Sequence, residues 1–255
     1  MTAGRYSGQA VVVGGTGAVG SAVLDGLRQA GLAVVAVARD AEALAALASG
    51  DEGVRPCSAD IGSEAAQSAI AGALFPDLAL RMVVQAAGLP STGPLTTIDP
   101  AALGTVVSLK LGGLLRLVRA VDERLEPGAR IVAIGGHFGS EPSPTTCAAG
   151  VTNAALANLV RQLADAYGPR GVTVHMIAPG PLDTPRLRRI AADAAHVRGT
   201  DPDTILNEYR SHSPLNRLTT TDEVGWAVTQ LLAPQAVALH GASLALDGGA
   251  RRGLF

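Results

Sequence analysis

The chain has 255 residues, 47% hydrophobic, 16% charged and 3% aromatic, so its core must be built from Ala, Val, Leu and Ile. A formal net charge of −2 argues against nucleic acid or an anionic membrane surface as the main partner. Two cysteines, Cys57 and Cys147, are too few for a disulfide scaffold, and neither a signal peptide nor an apolar run approaching ~18 residues is visible, which points to a cytoplasmic protein.

A run of β-branched residues, Val11 to Val13, feeds the stretch Gly14-Gly15-Thr16-Gly17-Ala18-Val19-Gly20, and an amphipathic helix follows at once. Strand, glycine-rich turn and helix form the context in which G-x-G-x-x-G, here Gly15, Gly17 and Gly20, marks a dinucleotide phosphate site. The turn must be tight, the backbone must approach a pyrophosphate, and the free N–H groups of the helix N-terminus attract anions. Apolar residues recur at helical spacing (Val19, Val23, Leu27) until Gly31, and Leu32 to Ala38 is apolar throughout, as in a strand buried on both faces.

Further on, Ala41 to Ala48 reads as a helix, Val54 to Ala59 as a strand ending at Asp60, and Ser63 to Leu74 as a helix. Arg81 to Ala87 reads as a strand closed by Gly88. Asp99 followed by Pro100 is an N-cap with proline at the first helical position, opening a long helix to about Leu125. Arg130 to Ile134 is a strand, Thr146 to Tyr167 a long helix, and Val172 to Ile177 a strand. A polar, proline-interrupted region runs from Pro179 to Pro214. Thr220 and Glu223 form a capping box before a helix ending near Leu232, and Ser243 to Leu246 is the last strand. Seven strands separated by crossover helices predict one α/β domain over 1–255, a Rossmann fold with a doubly wound, seven-stranded parallel sheet. Its ligand belongs beyond the carboxyl ends of the strands.

The residues resemble the short-chain dehydrogenase/reductases over nearly the whole chain. Gly14 to Gly20 is similar to that family's nucleotide turn, with Ala18 where its second glycine often lies. Gln85-Ala86-Ala87-Gly88 stands in the place of its Asn-Asn-Ala-Gly, and Pro179-Gly180 with Thr184 resembles its nicotinamide-contacting loop. The resemblance implies that Asp60, with Ile61 beside it, meets the adenine edge, and that Arg217 to Val224 and Asp247-Gly248-Gly249 belong to a segment that packs in tetramers. The carboxylate that would select NAD(H) is replaced by Ala38, with Arg39 following. An arginine there suits a 2′-phosphate, so NADP(H) is the expected cofactor. The other reading leaves Arg39 in solvent and gives the ribose, and with it NAD(H), to Asp40.

Two polar residues interrupt apolar helical stripes: Lys110 among Leu103, Val107, Leu114 and Val118, and Asn153 among Ala149, Leu156, Val160 and Leu163. A lysine on such a face must be paired or reach water along its stem. Taken alone each reads as structural; two such helices flanking one cleft make a functional reading competitive. By resemblance, Lys110 occupies the family's Asn place and Asn153 its Lys place, an exchange similar to that in ketoreductase domains of polyketide synthases. The family's Ser and Tyr fall on Gly136 and Ala149, neither of which can donate a proton. His137 is then the nearest candidate acid, against the plainer reading of a surface-loop histidine; Thr145, Thr146 and Cys147 are weaker candidates. Lys110 would steady a developing oxyanion.

The expectation is an NADPH-dependent reductase of a small or polycyclic carbonyl compound with an atypical proton donor, a dimer or tetramer of this chain with no metal, in which 179–214 forms a substrate lid. Two rivals stay open: a nucleotide-binding protein without turnover, such as a silent subunit, and a non-redox isomerase or dehydratase using the same cleft.

Overall fold

Strand β1 (Gln9–Val13) is the third strand of a seven-stranded sheet and is buried along its whole length. The computed structural model describes residues 5–88 and 93–253. Around β1 lie β2 (Ala33–Ala38), β3 (Val54–Ser58), β4 (Leu80–Gln85), β5 (Arg130–Ile134), β6 (Thr173–Pro179) and β7 (Ser243–Leu246). Every pairing is parallel and the order is β3-β2-β1-β4-β5-β6-β7, so the chain reverses direction across the sheet between β1 and β4. That is the doubly wound topology expected, and the switch point opens the crevice in which ligands bind.

Alternation along the strands divides the core. Val11 and Val13 face one side with Leu114, Leu117, Val118, Leu156 and Val160. Ala10 and Val12 face the other with Val23, Leu27, Val224 and Val228. The first layer is formed by α3 (Ala65–Ala73), α5 (Gly113–Val121) and α6 (Cys147–Tyr167), the second by α1 (Ala18–Gln29) and α9 (Thr221–Gln230). Helix α2 (Ala41–Ala48) begins on an Asp40 cap, and α9 on the Thr220–Glu223 capping box.

Three expectations are corrected. The run from Pro100 is not one regular helix. It is α4 (Pro100–Val107), a π-helical turn over Ser108–Gly112, then α5, with a 3₁₀ turn to Arg124. The extra residue in the π turn resets the helical register, and Lys110 lies at its middle. By length and composition the same run could cross a membrane, contrary to the expectation that none could. Thr105, Ser108 and Lys110 break the strictly apolar stretches, and the run buries Val106, Leu114, Leu117, Val118 and Val121 in this domain. Finally, the proline-interrupted region is helical: α7 (Pro185–Arg198) and α8 (Pro202–Ser211) pack through Ala191, Ala195, Ile205 and Leu206. Its prolines open these helices at their first turns rather than breaking them. Strand β6 correspondingly runs on to Pro179.

Candidate active site

At the carboxyl end of β1 the chain turns at Gly14, whose φ of +83° is open to glycine. Gly14 and Gly15 donate their N–H groups to the Val37 carbonyl (2.8 and 3.1 Å), and Gly17 donates to the Gly14 carbonyl, so the turn is fastened to β2. A Cβ at Gly20 would collide with the Gly14 carbonyl. Helix α1 starts at Gly17 without a side-chain cap, so its first N–H groups have no intrahelical partner and face outward.

A cleft of about 560 Å³ opens here, lined by Gly14, Thr16, Gly17, Arg39, Asp60, Ile61, Ala86, Ala87 and Gly88, all expected from the sequence. Val13, Val37, Ala38, Asp40, Ala59 and Leu109 line it as well. Gly15, Ala18, Val19 and Gly20 build the turn from behind, and Pro179, Gly180 and Thr184 stand at the end of β6 and the start of α7, outside this lining. Asp40 already accepts the Ala43 N–H as the α2 cap (3.0 Å), and Asp60 accepts the Gly62 N–H (2.9 Å). A glycine cradle, an open helix N-terminus and an exposed arginine at the end of β2 fit a dinucleotide with a 2′-phosphate.

The other half of the site is made of buried polar groups. Lys110 is 4% exposed and has no hydrogen bond or ion pair to any described residue. Burial and the nearby Arg186 guanidinium push its pKa down to about 8. The π turn that carries it packs on α6, where Asn153 is also 4% exposed, with its Oδ1 unpartnered. Gly136, at the end of β5, lacks a side chain where Asn153 approaches: a Cβ there would lie 2.8 Å from Asn153 Nδ2. At the end of β4, Gln85 is fully buried with neither amide atom partnered, facing Gly113 across the interior. Ala149, one helical turn before Asn153, is buried and offers only a methyl group.

His137 is not on a surface loop. It is 6% exposed in a 3₁₀ turn, and both ring nitrogens lack partners. The turn packs against α6, and nearby Glu141 accepts the N–H groups of Arg252 and Gly253. Burial lowers the His137 pKa, against a smaller upward pull from Asp247. His137 and Asn153 share a separate pocket of about 150 Å³ with Met176, Ser243 and Asp247. Of the weaker acids, Thr145 is bonded to Ser143, Thr146 caps α6 positionally with its hydroxyl buried and unpartnered, and Cys147 is a half-buried free thiol. No group of metal-ligating side chains exists among the described residues.

Arg186 went unnoticed in the sequence. It lies in the first turn of α7, two residues past the Thr184 cap, with a guanidinium nitrogen 3.7 Å from where a Gly88 Cβ would stand. Its position just beyond a strand's carboxyl end was the available signal; three arginines in four residues hid it.

The family model described as enoyl-(acyl carrier protein) reductase matches residues 15–251. The chain is 29% identical over 252 residues to the short-chain reductase protein NovJ of Streptomyces niveus, covering 94% of this chain and 92% of that one. It is 30% identical over 249 residues to cis-4-hydroxycyclohexanecarboxylate dehydrogenase of Sinomonas cyclohexanicum, covering 94% and 95%. L-Sorbose reductase of Gluconobacter frateurii, solved with NADPH and L-sorbose, matches the fold with a TM-score of 0.88 and 22% identity over the full length of both chains.

Proposed function

The chain belongs to the short-chain dehydrogenase/reductase family, and on that premise we propose that it is an NADPH-dependent reductase of a small carbonyl compound, with its own set of acid groups. Both relatives of similar length are named as a reductase and a dehydrogenase. The observation that carries the reading is a set of buried polar groups, Gln85 and Asn153 with unpartnered amide atoms and the buried Lys110, beside a cleft shaped for a nucleotide. Buried polar groups are nearly always satisfied, so several left open at one place argue for a ligand that completes them.

Gly14, Gly15, Thr16, Gly17, Ala18, Val19 and Gly20 would cradle the pyrophosphate, Arg39 the 2′-phosphate, and Asp60 and Ile61 the adenine. Ala86, Ala87 and Gly88 would flank the nicotinamide ribose, with Pro179, Gly180 and Thr184 on the nicotinamide. NADPH, when bound, supplies the hydride that goes to the carbonyl carbon. The chain's own residues then deal with the oxygen. Asn153 Nδ2 stands where the missing Gly136 side chain leaves room and can donate to the carbonyl oxygen. Lys110, a cation at neutral pH, faces the developing negative charge and can deliver the proton, so that C=O becomes CH–OH. With its pKa near 8 it is a better matched acid at pH 7 than an ordinary lysine. Solvent then reprotonates the Lys110 amine, while His137 lines the pocket it shares with Asn153. Residues 179–214, with the pair α7 and α8, would cover the substrate, and the working unit would be a dimer or tetramer of this chain.

The reading is tested by mixing purified protein with NADPH and a panel of aliphatic and aromatic ketones, 1,3-diketones and imines; no NADPH oxidation across the panel overturns it. Gly136 and Ala149, which hold no acid, favour one alternative, a silent nucleotide-binding subunit. Tight NADPH binding without oxidation, with activity restored by a second chain, would establish that alternative.

A further inference from the structure

The proposed reaction leaves most of one pocket unused. That pocket holds about 150 Å³ and shares no lining residue with the nucleotide cleft. Two of its lining residues, Ser243 and Ala245, are exposed and belong to β7, the edge strand, so it opens at the side of the sheet. Ala157 of α6 with Met176 and Ala178 of β6 supply an apolar wall. The polar part of the lining is His137, Asn153 and Asp247, each more than nine-tenths buried. Both ring nitrogens of His137 and the Oδ1 of Asn153 have no hydrogen-bond partner among the described residues. Asp247 accepts the N–H groups of Gly249 and Arg251, one on each carboxylate oxygen (3.0 and 3.1 Å), and keeps its remaining lone pairs. Buried polar atoms are nearly always satisfied, so three left open on one small pocket point to an occupant.

The chemistry of the lining selects that occupant. Burial holds the His137 pKa below its ordinary value, so at neutral pH the ring carries one N–H donor and one bare nitrogen acceptor. Asn153 Oδ1 and Asp247 add acceptors only. The ionised groups of the lining are one of each sign, Asp247 and Arg251, so a net charge on the occupant would go unanswered. We infer that the pocket is a binding site for a small neutral polyol, entering past β7. A hydroxyl donates and accepts at once. One hydroxyl can therefore bond a His137 ring nitrogen in whichever sense that nitrogen requires, and another can donate to Asn153 Oδ1 or Asp247. The carbon skeleton then lies on Ala157, Met176 and Ala178. A carboxylate would bring acceptors to acceptors, an ammonium would add an unbalanced charge, and a hydrocarbon would leave every polar group stranded. A cavity of this volume elsewhere admits a six-atom ring, so about six non-hydrogen atoms fit, the size of a three-carbon polyol. Water alone would need about five molecules, several of them facing only methyl groups. Nothing in this recognition requires the nucleotide or the proposed reductase chemistry.

The experiment titrates glycerol into the nucleotide-free protein and reads the ring-nitrogen NMR signals of His137, assigned with His137→Phe, together with saturation transfer to the ligand. A saturable shift of those signals is expected. Three molecules of similar size should bind at least about tenfold more weakly: 1,2-dimethoxyethane, which has no donor, 3-amino-1,2-propanediol, a cation, and glycerate, an anion. His137→Phe should weaken glycerol about tenfold. Ala157→Leu, which fills the pocket from its apolar wall, should abolish glycerol binding while the NADPH dissociation constant stays within twofold. A shift that rises without saturating is a bulk solvent effect and overturns the inference. Equal or tighter binding of any of the three comparison molecules overturns it as well, as does unchanged glycerol binding in Ala157→Leu. Saturable, selective binding sustains it whether or not NADPH is oxidised with ketones, and its absence overturns it in either case. Should Ala157→Leu not fold, glycerol against the three comparison molecules in the unaltered chain still decides.

Discussion

The two ends of the sheet treat buried polar groups in opposite ways. Toward the amino ends of the strands the buried side chains of Gln9, Arg130 and His175 are answered by the fold. Gln9, fully buried, donates to the carbonyls of Phe75 and Leu78 and accepts the Phe75 N–H. Arg130, 4% exposed, donates to the carbonyls of Leu231 and Gly128. His175 sits between Thr173 Oγ1 (2.9 Å) and the Leu239 carbonyl (3.1 Å). At the carboxyl ends, Gln85, His137 and Asn153 keep polar atoms without partners, and Lys110 keeps its charge. The first end is finished by the fold; the second is left open by it. The contrast separates stability from function better than burial does, since both sets are equally buried.

The contrast makes predictions of opposite sign. The largest effect should come from Gln9→Ala, which removes three hydrogen bonds and leaves the Phe75 N–H unpartnered, while Arg124 still donates to the Phe75 and Leu78 carbonyls; unfolding in urea should show a loss of about 3 kcal/mol. At the open end, Lys110→Met should cut NADPH oxidation about 100-fold while leaving the protein as stable as before or more so, because it deletes a buried charge that nothing pairs. Lys110 also gives this end a pH signature. Its pKa is lowered to about 8 in the fold from an ordinary 10.5, chiefly by burial and then by Arg186, the charged group that faces it. The unfolded chain therefore holds more protons between pH 8 and 10.5, and the protein should gain stability across that window, a gain absent from Lys110→Met. A loss of stability in Lys110→Met at pH 7 would break the comparison.

His175 supplies the matching test at the satisfied end. Burial lowers its pKa to about 4 from 6.5, outweighing the Leu239 bond. The neutral ring's contribution is whole above pH 6.5 and is lost as the pH falls toward 4, so urea titrations at pH 5 should read about 2 kcal/mol less than at pH 7.5. His175→Gln should flatten that slope without touching turnover. The smallest effect concerns the cleft's outer rim: Arg39→Gln should weaken NADPH about tenfold and leave NADH unchanged, measured by fluorescence titration. Equal weakening of both nucleotides would place Arg39 elsewhere than on the 2′-phosphate.

Much of this was open to reading in one dimension. Strands buried on both faces are continuous apolar runs, so β1, β2 and β5 stood out, and the caps at Asp99 and Thr220 are local hydrogen-bond chemistry that needs no neighbours. The glycine turn was legible for the same reason: a glycine with positive φ and a glycine packed under a carbonyl are properties of a few consecutive residues. The helices of 185–211 were hidden because their apolar face is small and meets only itself, so the polar average dominated.

The sequence by itself determined the doubly wound sheet, the cleft at its switch point and the residue types at its reacting end, because these follow from periodicity, capping and turn conformation. Only the tertiary structure decided which polar side chains are left wanting. That His137 is buried depends on its 3₁₀ turn being packed against α6, which begins ten residues later. That Lys110 is buried without an ion pair to a described residue depends on a π turn being laid against α6. Whether a buried charge is paired is a property of everything packed around it, and no local pattern carries that information.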